Sequence, residues 1–351
     1  MRSSIIIPAA FAAMAVANPT PQEIDWDLVD SLDPVPTATI PVVDAAAQVT
    51  TIAYEASAAA STVAAAIIAS GLAGADDASS SLSKRDIAAD TPEAFLANTD
   101  FSDAATNAQT PNGYVSTFNN LQASNNAYGY LGYSILQSYD TIECSKRCDA
   151  IDGCASFNIY YERDPVTQPT KANPNPASTT LTKCVYWGGP IDPSNAVNNG
   201  QYQQDFHVVI AGSNGYMNKT VAPVDGYAQP TYLGAGAIEA PLDCNKHDTY
   251  MGVKIFTKGP FDASQCAAAC TATSVYDLSV GIPQTCQFFN TYLLLKNGSP
   301  VGQYCAMYNQ TWPASYATNK GQWRGTNHYT IGHSYSYSNA TNPALFQGCQ
   351  K

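Results

Sequence analysis

The stretch Asp140-Thr-Ile-Glu-Cys-Ser-Lys-Arg-Cys-Asp-Ala-Ile-Asp-Gly-Cys-Ala-Ser-Phe157 decides the fold of this chain. Its first two cysteines, Cys144 and Cys148, lie four residues apart and would therefore share one face of a helix. Gly153 predicts the end of that helix, because glycine readily adopts the left-handed conformation that terminates helices. Cys154 then opens a run that predicts a strand. The stretch as a whole predicts a short helix stapled to a sheet.

The same pattern returns between Asp262 and Asn290, so the chain contains an internal repeat. Order and residue type agree along the whole unit, which makes chance similarity a poor explanation. The matched pairs are Pro111-Asn112-Gly113-Tyr114 with Val224-Asp225-Gly226-Tyr227, Tyr130-Leu131-Gly132 with Tyr250-Met251-Gly252, Cys144 and Cys148 with Cys266 and Cys270, Cys154 and Asn158 with Cys286 and Asn290, Cys184 with Cys305, and His207 with His328. Two copies predict tandem modules at residues 111–222 and 223–351 rather than a solenoid.

Both predicted helices begin with a capping-box pattern. Asp140 precedes Glu143 by three residues, and Asp262 precedes Gln265 by the same distance. In this pattern the aspartate accepts hydrogen bonds from the first free backbone amides, and the glutamate or glutamine side chain reaches back to the aspartate amide. The aromatic and branched residues that follow predict strands at Phe157–Tyr161 and Phe288–Leu295.

The beginning of the chain reads as a secretory signal peptide at residues 1–17. Arg2 precedes an apolar run that is too short to span a bilayer, and Ala15-Val16-Ala17 matches an Ala-x-Ala cleavage site. The residues before Lys351 contain no apolar tail of the kind that precedes attachment of a lipid anchor, so we do not expect a lipid-anchored form. We therefore expect a secreted protein that is extracellular or associated with the cell wall and is not inserted in a membrane.

Residues 18–85 differ in composition from the repeats, being rich in alanine and acidic residues and free of cysteine. They end in Lys84-Arg85, a dibasic pair of the kind that kexin-type processing proteases cut. We interpret 18–85 as a pro-segment of low complexity and assign it no fixed structure, although its alanines favour a helix. The alternative is a linker with a solvated pair of charges. Residues 86–110 are interpreted as a polar leader.

Composition limits the classes of function. The chain of 351 residues has a net charge of −12 and no cluster of lysine or arginine, so it lacks the basic surface that nucleic-acid binding needs. All ten cysteines lie from Cys144 onward, and in a secreted chain an even number predicts a disulfide framework whose pairing the sequence leaves open. Their C-x3-C spacing differs from the C-x2-C of common zinc sites, and we expect neither metal nor cofactor.

The helix with C-x3-C, the cysteine that opens the next strand and the last cysteine in a later strand resemble the PAN/apple family. The resemblance implies an α+β fold of two disulfide-stapled modules, each an antiparallel sheet crossed by one helix. It also implies binding to protein or carbohydrate. The disulfide bonds that it implies are Cys144–Cys184, Cys148–Cys154, Cys266–Cys305, Cys270–Cys286 and, joining the two ends of the second module, Cys244–Cys349.

No pattern indicates a catalytic site, and we expect a protein that is not an enzyme. The chain lacks G-x-S-x-G and H-E-x-x-H motifs, and bonded cysteines supply no nucleophile. His207 and His328 are either a ligand-contacting or pH-sensing pair or a shared structural position. His247 and His333 complete no recognisable metal-binding pattern.

Aromatic side chains give the better functional indication, because flat rings stack on sugar rings. The candidate ligand-binding residues are Trp187, Tyr160, Trp323 and Tyr335. Trp187 precedes a Gly-Gly-Pro turn, and Tyr335 shares one strand face with Tyr337 if this stretch is a strand. The alternative for each ring is a place in the core.

Four Asn-x-Ser/Thr sequons predict N-glycosylation in the secretory route. They begin at Asn218, Asn297, Asn309 and Asn339, and Pro300 behind the second of them lowers its expected use.

These features predict a secreted, non-catalytic binding protein. The dibasic site, the Ala/Ser/Thr-rich pro-segment and the acidity resemble exoproteins of filamentous fungi, so a cell-wall or host polysaccharide or glycoprotein is the expected partner. The first alternative is a protein–protein adhesion or effector module, and the second is an enzyme of unrecognised type. The oligomeric state stays open.

Overall fold

The computed structural model describes residues 24–36, 49–69 and 90–341. The predicted signal peptide, the pair Lys84-Arg85 and Cys349 lie outside the described residues. The helices are α1 (Trp26–Asp30), α2 (Ala56–Ala69), α3 (Pro92–Leu96), α4 (Thr99–Thr106), α5 (Thr141–Asp149) and α6 (Ala263–Ser279).

The strands form two large antiparallel sheets and one short hairpin. The first sheet contains, in spatial order, β1 (Val49–Thr51), β3 (Tyr130–Leu136), β5 (Ser178–Trp187), β4 (Ser156–Pro165), β8 (Val209–Asn218) and β2 (Tyr114–Leu121). The second contains β10 (Tyr250–Phe256), β12 (Ser299–Tyr308), β11 (Phe288–Lys296) and β14 (Asn327–Ser338), and β14 also pairs with β13 (Gly321–Arg324) and β9 (Thr231–Gly234). The hairpin consists of β6 (Tyr202–Gln203) and β7 (Phe206–His207).

The two sheets have the same topology. The order β3-β5-β4-β8-β2 in the first corresponds strand for strand to β10-β12-β11-β14-β9 in the second. One long helix, α5 or α6, precedes the central strand of each sheet. The α+β class is therefore confirmed, and the strands predicted after each helix are present as β4 and β11.

Disulfide bonds join each helix to its own sheet. On one face of α5, Cys144 and Cys148 are fully buried against the sheet. The bonded pairs, with their Cα–Cα distances, are Cys144–Cys184 at 5.9 Å, Cys148–Cys154 at 5.4 Å, Cys266–Cys305 at 5.6 Å and Cys270–Cys286 at 5.3 Å. These four predicted bridges are confirmed, whereas the Cys244–Cys349 pairing involves a residue outside the described part of the chain.

The helix caps follow half of the predicted pattern. Asp140 accepts hydrogen bonds from the first amides of α5 at 2.9 and 3.0 Å, and Asp262 accepts one from the start of α6 at 2.8 Å. The side chains at the third helical position have other partners, however. Glu143 pairs with Arg147 at 2.8 Å, while the Gln265 amide donates to a tyrosine hydroxyl at 3.0 Å. The aspartates alone therefore cap these helices.

A buried asparagine joins the central strands of each sheet in the same way. In β4, Asn158 donates to a serine hydroxyl and to a backbone carbonyl of β8, both at 2.9 Å. In β11, Asn290 donates to a serine hydroxyl at 3.0 Å and to a backbone carbonyl of β14 at 2.9 Å. Because a buried amide without partners is costly, the repeat retains the partners together with the asparagine.

The regions before the repeat contain more structure than the sequence suggests. Within the leader 86–110, α3 and α4 place Phe95 and Phe101 against β8, so this region is part of the core. Within 18–85, α1 packs on the second sheet, β1 joins the edge of the first sheet, and α2 lies against α6. The expectation that 18–85 lacks fixed structure is wrong for these described parts.

Candidate functional site

An exposed aromatic ring stacks on a histidine ring at the same place in both repeats. Tyr202 in β6 pairs across the hairpin with His207 in β7, with ring centroids 4.1 Å apart and planes at 7°. Trp323 in β13 pairs in the same way with His328 in β14, at 4.4 Å and 10°. Tyr202 is 69% exposed and Trp323 is 66% exposed. Each hairpin thus presents a flat aromatic face to solvent.

The same turn sets up both hairpins. Asn198 accepts a hydrogen bond from the amide of Gly200 at 3.1 Å, and Asn319 accepts one from the amide of Gly321 at 2.8 Å. Both glycines have positive φ, +97° and +89°, and a Cβ would collide with the backbone carbonyl of Val208 at the first position and of Tyr329 at the second. The turn therefore requires glycine for conformation and for space.

Each asparagine also fixes the start of its hairpin to an earlier loop. The backbone of Asn198 exchanges two hydrogen bonds with Ser124, at 2.9 and 3.1 Å. The backbone of Asn319 exchanges two with Ala237, at 2.9 and 3.2 Å. Both aromatic–histidine pairs consequently project from a rigid base.

Such a pair has two chemical properties that suit a carbohydrate ligand. The face of a tyrosine or tryptophan ring offers a large apolar surface at little cost in side-chain entropy. A histidine supplies ring nitrogens that donate or accept hydrogen bonds, as sugar hydroxyls require. Because the histidine stacks behind the aromatic ring, it also holds that ring in one orientation before a ligand arrives.

The sequence candidates fall into different environments. Trp323 is the exposed member of the second pair. Tyr335 is half-buried and lies between Tyr232, Phe261 and His333, and burial raises its pKa to about 12. It shares its face of β14 with the fully buried Tyr337. Tyr335 therefore offers part of one ring edge rather than a platform.

Trp187 and Tyr160 are both fully buried, so neither reaches a ligand in this conformation. The turn after Trp187 is not at the surface, because Gly188 is sandwiched between the two halves of the molecule. Its amide donates to the carbonyl of Gly129 at 2.6 Å, and its carbonyl accepts from the amide of Phe261 at 2.7 Å. A Gly-Gly-Pro sequence thus serves here as a backbone-to-backbone contact and not as an exposed loop.

Tyr202 is a residue that the sequence analysis missed, although a signal for it was present. The runs Gly200-Gln-Tyr-Gln-Gln-Asp-Phe-His207 and Gly321-Gln-Trp-Arg-Gly-Thr-Asn-His328 share Gly-Gln-aromatic-x4-His without a gap. The signal is that each of the two equivalent histidines is preceded by an aromatic residue five positions earlier.

A buried cluster of charges in the first sheet also escaped the sequence analysis. Lys183 contacts the carboxylates of Glu162 and Asp164, and all three side chains are almost completely buried. Burial and the charge of Asp164 raise the pKa of Glu162 to about 8. Burial opposes the charge of Lys183, but the two carboxylates outweigh it and raise the Lys183 pKa. Paired carboxylates can perform acid–base chemistry, yet a substrate has no access to these.

The other two histidines do not form a site together. His247 is exposed beside Asp243, with 4.0 Å between the nearest nitrogen and oxygen. His333 lies against Phe261 and Tyr335, and burial lowers its pKa to about 4. His333 is thus neutral at physiological pH. Among the described residues, no group of three side chains is arranged to hold a metal ion.

The sequons lie at or near the surface. Asn297 is exposed, and the other three asparagines are half-buried. In Asn218 and Asn339 the side-chain oxygen accepts hydrogen bonds from the Thr two residues later. The amide nitrogen of Asn297 donates to Asn327 at 2.9 Å, directly beside His328, so a glycan at Asn297 would disturb the second hairpin.

A small cavity lies on the face of the second sheet opposite α6. Tyrosines from β10, β11 and β12 line it together with the loop around Ile238. The lining residues are Ala237, Ile238, Tyr250, Tyr292, Tyr304, Ala306, Tyr308 and Asn319. The residues of α1 pack beside this cavity.

No helix in the described ranges has the length and apolar character needed to cross a membrane. Comparison with protein-family models, with curated proteins and with solved structures finds no match to this chain.

Proposed function

We propose that this chain is a secreted, non-catalytic protein that binds carbohydrate through its two aromatic–histidine hairpins. One observation carries the proposal: Tyr202 and Trp323 are exposed at equivalent positions, each stacked on a histidine. The four disulfide bonds are compatible with an extracellular location. The resemblance to PAN/apple modules is consistent with such a role and is itself part of the proposal.

The exposure of these rings supports a binding role. Exposed large aromatic side chains gain nothing from folding, and a ring of this size is a preferred anchor in binding sites. Two anchors on one polypeptide would also raise the affinity for a repeating polymer, because the second contact becomes intramolecular. A cell-wall polysaccharide or a glycoprotein glycan presents such repeated sugars.

A specific surface favours the second candidate function, adhesion to a protein. Five large apolar side chains at the carboxyl end of α6 and the following turn are between 44% and 53% exposed. They are Val275, Tyr276, Leu278, Val280 and Ile282. Contiguous exposed apolar residues of this kind are typical of protein interaction sites.

The proposal is tested by retention of the secreted protein on insoluble chitin, β-glucan and cellulose. We expect retention on at least one polymer, a reduction in Trp323→Ala and in Tyr202→Ala, and loss in the double variant. Tyr276→Ala is the matched control, because it removes an equally large exposed ring from the α6 surface.

Equal retention of the double variant and the wild type would contradict the hairpin assignment. Failure of the wild type to bind any of the three polymers would favour the adhesion function instead, and cross-linking to a partner protein should then depend on Tyr276.

A further inference from the structure

The amino-terminal region before Lys84-Arg85 is docked on both sheets at separate places. The described parts, residues 24–36 and 49–69, contribute a helix to the second sheet, a strand to the first and a second helix beside α6. A segment removed by processing would have to leave all three of these places. The contacts at each place decide whether it does.

The first contact is made by α1 on the tyrosine-rich face of the second sheet. Ile24 and Val29 are 4% and 7% exposed there, which is the burial of core residues. Trp26 packs edge-on against Tyr329, with ring centroids 4.7 Å apart. The amide of Asp25 donates to the hydroxyl of Tyr304 at 3.0 Å. Residues 24–29 therefore bury Ile24 and Val29 and half-bury Trp26 on this face of the sheet.

A charge contact fixes the orientation of α1. Arg324 in β13 contacts both carboxylate oxygens of Asp30, at 3.0 and 3.1 Å, and its guanidinium lies over the ring of Trp26 at 4.5 Å. Both of these hydrogen bonds come from the same guanidinium nitrogen, Nη1. Together with the cation–π contact they restrict the orientation that α1 can take on the sheet. Arg324 also neighbours Trp323, so α1 supports the hairpin that carries the exposed ring.

The second contact lies between the two halves of the molecule. β1 adds a strand to the edge of β3, and Ile52 continues that pairing by donating to the carbonyl of Leu131 at 3.1 Å. Tyr54 then donates its hydroxyl hydrogen bond to Asp262, the cap of α6, at 2.5 Å and accepts one from Gln265. Edge addition and a shared cap are both contacts that a separate peptide can make.

Covalent bonds do not tie this region to the rest of the chain except through the backbone. The ten cysteines all lie from Cys144 onward, so no disulfide crosses the dibasic pair. All of these contact places belong to one stretch of polypeptide, however. After the first place binds, the second is held at high local concentration, which slows release of the whole segment.

Independently of what the hairpins bind, we propose that this surface is a binding site for the chain's own amino-terminal segment, which remains bound as a separate polypeptide after cleavage behind Arg85. The partner is thus defined by its chemistry: a short amphipathic helix with Trp26 and Asp30, followed by an edge strand and Tyr54. The docked segment is then a light chain of the mature protein rather than a discarded pro-peptide.

The test starts from the full secreted chain, which is cut by a kexin-type protease or, where the pair resists, at a recognition sequence inserted between Arg85 and Asp86. Gel filtration at micromolar concentration then separates bound from free fragments. We expect the amino-terminal fragment to co-elute with residues 86–351 and to separate from them only in denaturant. Elution of the wild-type fragment as a separate species would overturn the proposal.

Single variants in the fragment, and one compensating variant in the larger body, sharpen the result. Trp26→Ala should release the fragment at least tenfold faster, whereas Asp27→Ala, at an exposed position of the same helix, should not. Asp30→Arg should increase release two- to fivefold, as expected for an exposed ion pair, and Arg324→Asp should restore binding of that fragment. Release of all variants at the rate of the wild type would show that the described contacts do not hold the fragment.

Discussion

The two sheets share their topology and differ in the side chains that they bury at equivalent positions of their central strands. The position of Lys183 in the first sheet is taken by Tyr304 in the second, and that of Glu162 by Leu294, as the strand registers show. The first sheet therefore buries a lysine and two carboxylates where the second buries tyrosines and leucine. The same backbone arrangement therefore accommodates either a buried cluster of charges or buried tyrosine and leucine side chains.

The difference teaches which part of the repeat is constrained. The disulfide bonds, the asparagines in the central strands and the Asn-x-Gly turns are the same in both sheets. The side chains between them vary from ionic to aromatic. The shared features determine strand order and hairpin position, whereas the variable face is filled by any set of side chains that satisfies its own polar groups.

The largest expected effect is the removal of the cation in the charged sheet. Lys183→Met leaves Glu162 and Asp164 buried without their partner, and we expect a loss of about 3–5 kcal/mol in the free energy of unfolding. At the equivalent position, Tyr304→Phe removes one hydrogen bond and should cost about 1 kcal/mol. Urea denaturation of the full chain measures both.

A triple variant tests whether unpaired buried charges cause the larger loss of stability in Lys183→Met. Lys183→Met combined with Glu162→Gln and Asp164→Asn should regain most of the lost stability, since no unpaired charge remains. A small effect of Lys183→Met alone would show that the cluster is already neutral in the folded protein.

The disulfide bonds provide the next comparison. Cys270–Cys286 joins residues 16 apart in sequence, and Cys148–Cys154 joins residues 6 apart. If loop closure in the unfolded chain dominates, replacing either pair by alanines costs about 2–4 kcal/mol, and the longer loop costs about 1 kcal/mol more. Thermal unfolding of the two double variants tests this order. The reverse order would show that native packing around α5 matters more than chain entropy.

The two sheets should also respond in opposite directions to pH. His333 has a folded pKa of about 4, below the value of about 6.5 expected in the unfolded chain. Its contribution to stability is therefore present above pH 6.5 and is lost as the pH falls toward 4, by about 2–3 kcal/mol. Unfolding measured between pH 7 and pH 4 should show this loss in the wild type and less of it in His333→Phe.

Glu162 should change the free energy of unfolding with pH in the opposite direction to His333. Its folded pKa of about 8 is raised above the unfolded value of about 4.5, so its contribution is fully present below pH 4.5 and is lost as the pH rises from there to about 8. Glu162→Gln should therefore remove the fall in the free energy of unfolding between pH 4.5 and pH 8 that this group causes, and leave the profile above pH 8 unchanged. Acid sensitivity in His333→Phe as large as in the wild type would mean that other groups control the acid titration.

The smallest expected effect concerns the exposed rings. Tyr202→Ala and Trp323→Ala remove side chains that are mostly in solvent, and we expect each to change the free energy of unfolding by less than about 0.5 kcal/mol. The same denaturation assay measures it. A larger loss in one variant would show that its ring stabilises the hairpin, and a loss of binding in that variant would no longer report on the ligand alone.

Much of the fold could be predicted because the chain contains two copies of one pattern, and the features that both copies share stand out from the rest of the sequence. The pattern of Cys144, Cys148 and Cys154 and its second copy indicated the helices and the central strands, and the resemblance to PAN/apple modules implied the four bridges. The spacing of apolar residues and cysteines shows which face of each helix or strand is buried, because these residue types are usually found in the core. The ordered segments at 24–36 and 90–106 were not predicted, because their short stretches with apolar residues, such as residues 24–29 and Phe95-Leu96, contain no cysteine and have no second copy in the chain.

The candidate site was predicted less well than the fold. A sequence does not distinguish a tryptophan under a packed turn, such as Trp187, from one on an open hairpin, such as Trp323. The distinction depends on where Pro260 and Phe261 of the second half arrive, and no local pattern encodes that contact. The equivalent histidines were the local signal that did point to the hairpins.

The contact at Gly188 has a mechanical consequence. A Cβ on Gly188 or Gly129 would collide with backbone atoms of the segment Gly259–Pro260, so the two halves meet backbone to backbone at this point. Opening this joint breaks the Phe261–Gly188 hydrogen bond and the bond from Tyr128 to the carbonyl of Phe256 at the same time. Under a pulling force applied through the two hairpins, we expect the halves to resist as one body and then to separate in a single abrupt step.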